Sequence, residues 1–385
     1  MNSQPLSLGV LTSTLAIGGA EQLLLELLRR LDPGRLRPRL YLLGEPGPIG
    51  QEIIGLGLPW QAHLRRGPMG ALTIPNLAQA FARDKVQALL LINHRNALAY
   101  GVPAAALAGL APVVNWENET FKRYRFHGAF MLLRRLLMAR VDAVVAAARG
   151  HRLYIAEHEH VPLVKVTCIP NGVDGSRFTS ELSPEQAKAR LGIPVSREVA
   201  GILAALRPDK AHEVFLEAAA KVVSEGLEAH FLIIGDGPRR EALEALASRL
   251  GLTDRVSFLG FRRELGDIFA AMDLGVLSSM PRQETLSVAA LEIMSAGVPM
   301  VATRVGFMSE IVIPGRTGLL VAPGEAQDLG RAMAELLRDD SRRLAMGQAA
   351  QDMVAREYGL DGMARSFEDL FQTLRSKKNP SKLRP

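Results

Sequence analysis

Short apolar runs alternate with amphipathic stretches along nearly the whole chain. Leu6–Thr12 reads as a first strand, followed by the glycine-bearing turn Ser13–Gly19. From Glu21 onward, Leu23, Leu24, Leu27, Leu28 and Leu31 recur on one helical face, which predicts a helix over Glu21–Arg30. The alternation continues with strands at Arg39–Leu43, Ala88–Ile92, Val113–Asn115, Ala143–Ala147 and Val164–Ile169, and with a helix at Leu77–Arg83. It then begins again: Val199–Ala204, a helix through Val222, Phe231–Ile234, Val256–Leu259, Leu274–Leu277 and Met300–Ala302. Helices at Gln327–Leu337, Arg342–Glu357 and Tyr358–Leu374 close the chain, the last striped by Met363, Phe367, Leu370 and Phe371. Strand, turn and helix in repetition predict doubly wound α/β units, in which ligands bind at the carboxyl ends of the strands.

Composition narrows the class. A chain of 385 residues suits two domains, and 48% hydrophobic with 22% charged residues describes a folded chain. Cys168 is the one cysteine, so neither a disulfide nor a thiolate metal cluster forms within the chain. The start, MNSQPLSLGVLTS, lacks a basic region followed by a long apolar one, and a cytoplasmic location is expected. Ala97–Val114 carries no charge, but its Gly, Pro and Ala content fits a buried helix and strand instead of a spanning helix. The net charge of +6 favours phosphate-bearing or anionic partners. Aromatic residues are only 5%, too few for the stacking platforms of nucleic-acid modules, so no nucleic-acid partner is expected.

The densest chemistry lies in Ser278–Gly318. Glu284 falls in a loop after the strand Leu274–Leu277, and Glu292 falls inside the helix that follows, with an uncharged run between them. A helix starting near Leu286 offers unpaired N–H groups and a partial positive charge at its first turn, which suits a phosphate. A carboxylate on either side of an anion site would hold two sugar rings joined by a pyrophosphate, that is, a nucleotide sugar. The spacing alone fits an ordinary helix equally well. Upstream, Arg207 and Lys210 stand at another strand end, where cations would neutralise a leaving pyrophosphate.

Taken together, GGAE at Gly18–Glu21, IPNGVD at Ile169–Asp174, Lys210, GDGP at Gly235–Pro238 and E-x7-E at Glu284–Glu292 resemble, in this order, the retaining glycosyltransferases of family 4. The resemblance implies a GT-B fold, two Rossmann-like doubly wound domains facing across a cleft. It places an acceptor-binding domain at 1–170, completed by a C-terminal helix at 358–377. A donor-binding domain follows at 171–357, then a basic tail at 378–385. It implies that Glu284 binds hydroxyls of the transferred sugar and that Glu292 holds the nucleoside ribose. Lys210, Arg207 and the amides of Leu286, Ser287 and Val288 would cradle the diphosphate, with no metal and no other cofactor. Gly18 and Gly19 would approach the donor phosphates, and Gly235 and the loop at Phe261 would face the nucleotide. This chain departs from the family in having Thr285-Leu286-Ser287 where Gly-Phe-Gly is usual, Ala205 at the usual Arg, and Asn118 at the usual His.

In the first half, Asn93–Asn96 and Trp116–Glu119 are polar clusters at strand ends, so His94, Glu117, Asn118 and His127 are candidate acceptor contacts. Phe121–Arg140 holds six basic residues and no acidic one. Its periodicity predicts that Phe126, Phe130, Leu133, Leu137 and Val141 pack on the sheet while Met131, Arg134, Met138 and Arg135 face outward, a surface fit for an anionic membrane. The expected activity is transfer of a hexosyl group from a UDP or GDP sugar to a glycan or lipid-linked acceptor, in polysaccharide biosynthesis at the inner face of the membrane. A non-catalytic sugar-nucleotide or glycan-binding protein of the same fold is the alternative. A phosphorylase of this architecture would need a Schiff-base lysine, for which the sequence has no candidate.

Overall fold

The computed structural model describes residues 4–16, 18–66, 70–92, 95–118, 128–281 and 284–378. The chain divides into two compact units, 1–171 with 360–385, and 172–359. The first division falls inside the Ile169–Asp174 turn cluster.

Unit 1 is built from β1 (Leu6–Thr12), α1 (Gly19–Arg30), β2 (Leu36–Leu42), α2 (Gly47–Ile54), β3 (Trp60–Gln61), α3 (Thr73–Arg83), β4 (Ala88–Ile92), α4 (Arg95–Leu107), β5 (Val113–Glu117), α5 (Gly128–Arg140), β6 (Ala143–Ala146), α6 (Arg149–His158) and β7 (Val166–Cys168). Its seven strands are parallel in the order β3-β2-β1-β4-β5-β6-β7. Such a sheet is covered on both faces, which is why β4 reads ALLLI with every residue buried. The small residues of Ala97–Val114 are explained by close packing. A Cβ on Gly101 would lie 2.5 Å from Leu91 and 2.7 Å from Leu11, so α4 needs glycine there to lie on the sheet. That stretch is core, as its composition predicts: Ala97, Val102, Ala104 and Ala105 are buried. No described helix is long and apolar enough to cross a membrane.

Unit 2 contains α7 (Pro184–Arg190), β8 (Glu198–Leu203), α8 (His212–Ser224), β9 (Ala229–Ile234), α9 (Arg240–Arg249), β10 (Val256–Gly260), α10 (Gly266–Ala270), β11 (Leu274–Leu277), α11 (Val288–Ser295), β12 (Met300–Thr303), β13 (Gly318–Val321), α12 (Ala326–Leu337) and α13 (Asp340–Glu357). Its six parallel strands run β10-β9-β8-β11-β12-β13. The order reverses direction between β8 and β11, so the loops after these strands flank the switch-point crevice of the sheet. The corresponding point in unit 1 lies between β1 and β4.

The last helix, α14 (Leu360–Lys378), belongs to unit 1. Phe367 meets Trp116 edge-on at 4.8 Å, and Glu368 accepts from Arg35 at 2.7 Å and from the Asp32 amide at 2.8 Å. The helix runs further than the apolar stripe predicts, because Arg375 donates to Gln4 O at 2.9 Å and Lys378 pairs with Asp142 at 2.7 Å. The basic tail past residue 378 lies outside the described residues.

Candidate active site at the carboxyl edge of the second sheet

The chain leaves β8 at Leu203 and reaches α8 through a short 3-10 turn, Pro208–Lys210. Ala211, left-handed at φ 48° and ψ 49°, ends that turn. Neighbouring strand-end loops brace this one. Leu206 N donates to Asp236 O at 3.0 Å, Arg239 N to Leu206 O at 3.2 Å, and Gly235 N to Gly260 O at 2.9 Å. Gly235, at φ 137°, is required because a Cβ there would overlap the Ala204 carbonyl.

This bracing brings Lys210 to Glu284. Lys210 Nζ lies 2.6 Å from Glu284 Oε2, with the two side chains 17% and 8% exposed. Ser279 Oγ donates to the same carboxylate oxygen at 2.9 Å. Sequence spacing places these two residues only at separate strand ends; the switch point between β8 and β11 makes them neighbours. The main chain of Glu284 is fixed as well. Phe307 N donates to Thr285 O at 2.7 Å, and a Cβ on Gly306, at φ 51°, would overlap the Glu284 carbonyl.

Helix α11 starts at Val288, two residues later than expected, because Ser287 acts as its N-cap and accepts from the Ala290 amide at 3.3 Å. Leu286 and Ser287 are buried, while Val288 is partly exposed at the first turn. Glu292 is partly exposed within the helix, about 6 Å along the axis from Val288. The other cation of the β8–α8 loop, Arg207, accepts at its carbonyl from Lys210 N at 3.1 Å. Arg207 is half-exposed and pairs with Asp209 at 3.0 Å. Phe261 is 56% exposed on the loop after β10.

His212 went unread in the sequence. It begins α8, is 1% exposed, and burial together with the Lys210 charge pushes its pKa down to about 4. A neutral imidazole therefore sits beside Lys210 at neutral pH and adds no competing charge. Its position two residues after Lys210 was the available signal.

In unit 1, Gly18 caps α1 with extended backbone, and a Cβ on it would collide with the Glu21 carboxylate, which folds back over the cap. Gly19 opens the helix. At the end of β1, the hydroxyls of Thr12 and Ser13 are buried and make no hydrogen bond among the described residues. Asn118 follows β5 and is half-buried; His94 and His127 lie outside the described residues.

Expectations for Glu117 and for the facing of α5 are corrected. Glu117 is not an open acceptor contact: it is 2% exposed, and its Oε1 accepts from Asn115 at 2.7 Å and from Arg134 at 2.9 Å. Arg134 does not face outward: it is 5% exposed and also bonds Glu159. Two buried carboxylates need a cation, so α5 is turned to bury Arg134 and, against expectation, Met138, while Val141 just after the helix is buried as the periodicity predicts. The outward face then carries Leu132, Leu133, Arg135, Leu136 and Arg140, and Leu133, expected to pack on the sheet, is exposed. Burial, with the Glu117 charge second, pushes the Glu159 carboxyl up to about 7.

Two Rossmann-like units, each with a parallel sheet, are the architecture of the GT-B glycosyltransferases, and solved structures agree. The chain superposes on HepE of Anabaena, solved with UDP, with a TM-score of 0.85 at 22% identity, covering 96% of this chain and 100% of that one. WaaG, a glycosyltransferase involved in lipopolysaccharide biosynthesis, gives 0.74 at 16% identity, covering 94% and 99%. The family model described as Glycosyltransferase Family 4 matches residues 17–177, and that described as Glycosyl transferases group 1 matches 197–339. Between them the two matches take in most of both units, and the chain belongs to the family 4 glycosyltransferases.

Among curated relatives, D-inositol 3-phosphate glycosyltransferase of Corynebacterium urealyticum is 34% identical over 222 residues, 54% of this chain and 51% of that one. N-acetyl-alpha-D-glucosaminyl L-malate synthase of Bacillus anthracis is 30% identical over 237 residues, 61% of each. The chain thus matches about half to three-fifths of these relatives' lengths.

Proposed function

We propose that this protein transfers a hexosyl group from a nucleoside diphosphate sugar to a hydroxyl of a glycan or lipid-linked acceptor, with retention at the anomeric carbon. The observation that carries the reading is the Lys210–Glu284 pair at the switch point of the second sheet. Glu284 accepts hydrogen bonds from hydroxyls of the transferred sugar, and Glu292 holds the ribose. Lys210, with the first amides of α11, takes up the negative charge that develops on the departing diphosphate, a role that elsewhere falls to a metal. Arg207 adds a second cation in the same loop. The bond from the anomeric carbon to the diphosphate oxygen breaks, the acceptor oxygen bonds to that carbon on the same face, and the acceptor's proton passes to the leaving oxygen. Relatives described as glycosyltransferases, and HepE structures with UDP and UDP-glucose, support a nucleotide-sugar donor.

For the acceptor side, the leucines and arginines on the outer face of α5, and not the buried Arg134, support an acceptor presented at an anionic membrane. A panel of UDP, GDP and ADP sugars in thermal-shift and turnover assays tests the donor. The right donor raises the melting temperature as RT ln(1 + [L]/Kd) and releases nucleoside diphosphate without added metal, in the presence of EDTA. Binding of a nucleotide sugar with no product from any acceptor would identify a binding protein instead.

A further inference from the structure

The two residues that follow β11, Ser278 and Ser279, are buried at 0% and 1% exposure. Both hydroxyls are committed to the Lys210–Glu284 pair. Ser278 Oγ donates to the main-chain oxygen of Lys210 at 2.9 Å. Ser279 Oγ donates to Glu284 Oε2 at 2.9 Å, the oxygen that also receives Lys210 Nζ at 2.6 Å. Ser279 is itself anchored, since Thr303 Oγ1 donates to its carbonyl at 2.7 Å from the end of β12. Among the described residues, both bonds to the Glu284 carboxylate fall on Oε2.

We propose that Ser279 is a positioning residue for glycosyl transfer. A carboxylate held by one lysine turns readily about its last torsion, which is broad and roughly two-fold. A second donor at a fixed angle selects one orientation. Oε2 is occupied by the protein, and Oε1 is the oxygen offered to a hydroxyl of the transferred sugar. Ser278 does the matching work on the other member, holding the main chain from which the Lys210 ammonium extends. The inference rests on Glu284 being the sugar-binding carboxylate. It adds that the serine, which touches no substrate, sets the carboxylate's aim.

Because the nucleotide half of the donor is gripped elsewhere, losing this aim lowers kcat more than it raises KM. Ser279→Ala is expected to lower kcat by roughly tenfold to a hundredfold, the effect of deleting one hydrogen bond to a charged group, with the donor KM within about threefold of wild type. Ser279→Thr, which restores the hydroxyl, is expected to recover most of the rate. The experiment measures kcat and KM for UDP-glucose, GDP-mannose and ADP-glucose with wild type and both variants, alongside melting temperatures and crystal structures of wild type and Ser279→Ala. A rotated Glu284 carboxylate in the alanine variant, at an unchanged melting temperature, is the expected structural result. An unrotated carboxylate, an unchanged kcat, or a loss that Thr fails to restore and that follows a lowered melting temperature would each overturn the proposal. If wild type turns over none of the three donors, the functional reading fails with them. The crystal comparison still decides whether Ser279 aims the carboxylate.

Discussion

Lys210 Nζ and Glu284 Oε2 are 2.6 Å apart, although 74 residues separate them in the chain. Each partner is mostly buried, so neither charge is shielded by water alone. In the proposed function the pair acts as a unit, meeting hydroxyls of the ligand at the carboxylate and its negative charge at the ammonium. Residues acting as a unit are non-additive. Lys210→Ala and Glu284→Ala should each lower kcat/KM by about a hundredfold or more, and the double variant should be little worse than the poorer single one. A double-mutant cycle on donor turnover checks this; fully multiplicative losses would show that the two act separately.

Gly306 is a backbone requirement for the site. At φ 51° its missing Cβ would overlap the carbonyl oxygens of Glu284 and Thr285. Gly306→Ala should cost about 1–3 kcal/mol in urea unfolding and move Glu284 away from Lys210, with a large loss of turnover. Full activity in this variant would contradict the account of how the loop is held.

The buried Glu159 gives unit 1 a pH dependence of definite sign. Burial pushes its carboxyl up to about 7 in the folded chain, from the ordinary 4.5 of a glutamate, so the folded state holds a proton that the unfolded state gives up. That contribution is fully present below pH 4.5 and is lost as pH rises through about 7. Glu159→Gln should therefore flatten the fall in stability over this range and match or exceed wild type at pH 8, read by urea unfolding. Glu198 in unit 2, also pushed up to about 7 by burial, adds a slope of the same sign, so the test is the difference between variant and wild type.

On α5, Leu132, Leu133 and Leu136 are 60%, 46% and 59% exposed beside Arg135 and Arg140, with no acidic residue in the helix. Leu132→Ser with Leu136→Ser, or Arg135→Glu, should reduce sedimentation with phosphatidylglycerol vesicles severalfold and leave donor hydrolysis unchanged. Equal binding by all variants, or equal binding to neutral vesicles, would remove the membrane from the proposal.

Much of the fold was legible because parallel strands buried on both faces leave unbroken apolar runs: Leu6–Thr12, Ala88–Ile92 and Leu274–Leu277 match the observed strands. Elements that are only two residues long, such as β3, or interrupted by Gly, Gln and Glu, such as α2, carry no such signal. The residues Lys210 and Glu284 were legible, and their contact was not, since it arises from strand order. The facing of α5 was misread because hydrophobic periodicity does not register a buried arginine. Arg134 outweighs Leu133 there, as two interior carboxylates depend on it. The roles of Ser278 and Ser279 were hidden for a related reason, since serines at a strand end read as a turn.

The most direct test of the central claim is the release of nucleoside diphosphate from UDP, GDP and ADP sugars by wild type and by Glu284→Ala, with nucleoside diphosphate binding measured in parallel. Wild type should consume at least one donor, while Glu284→Ala binds the same diphosphate about as well and turns over at least about a hundredfold more slowly. Equal release by the two proteins would mean that the carboxylate beside Lys210 does not hold the transferred sugar.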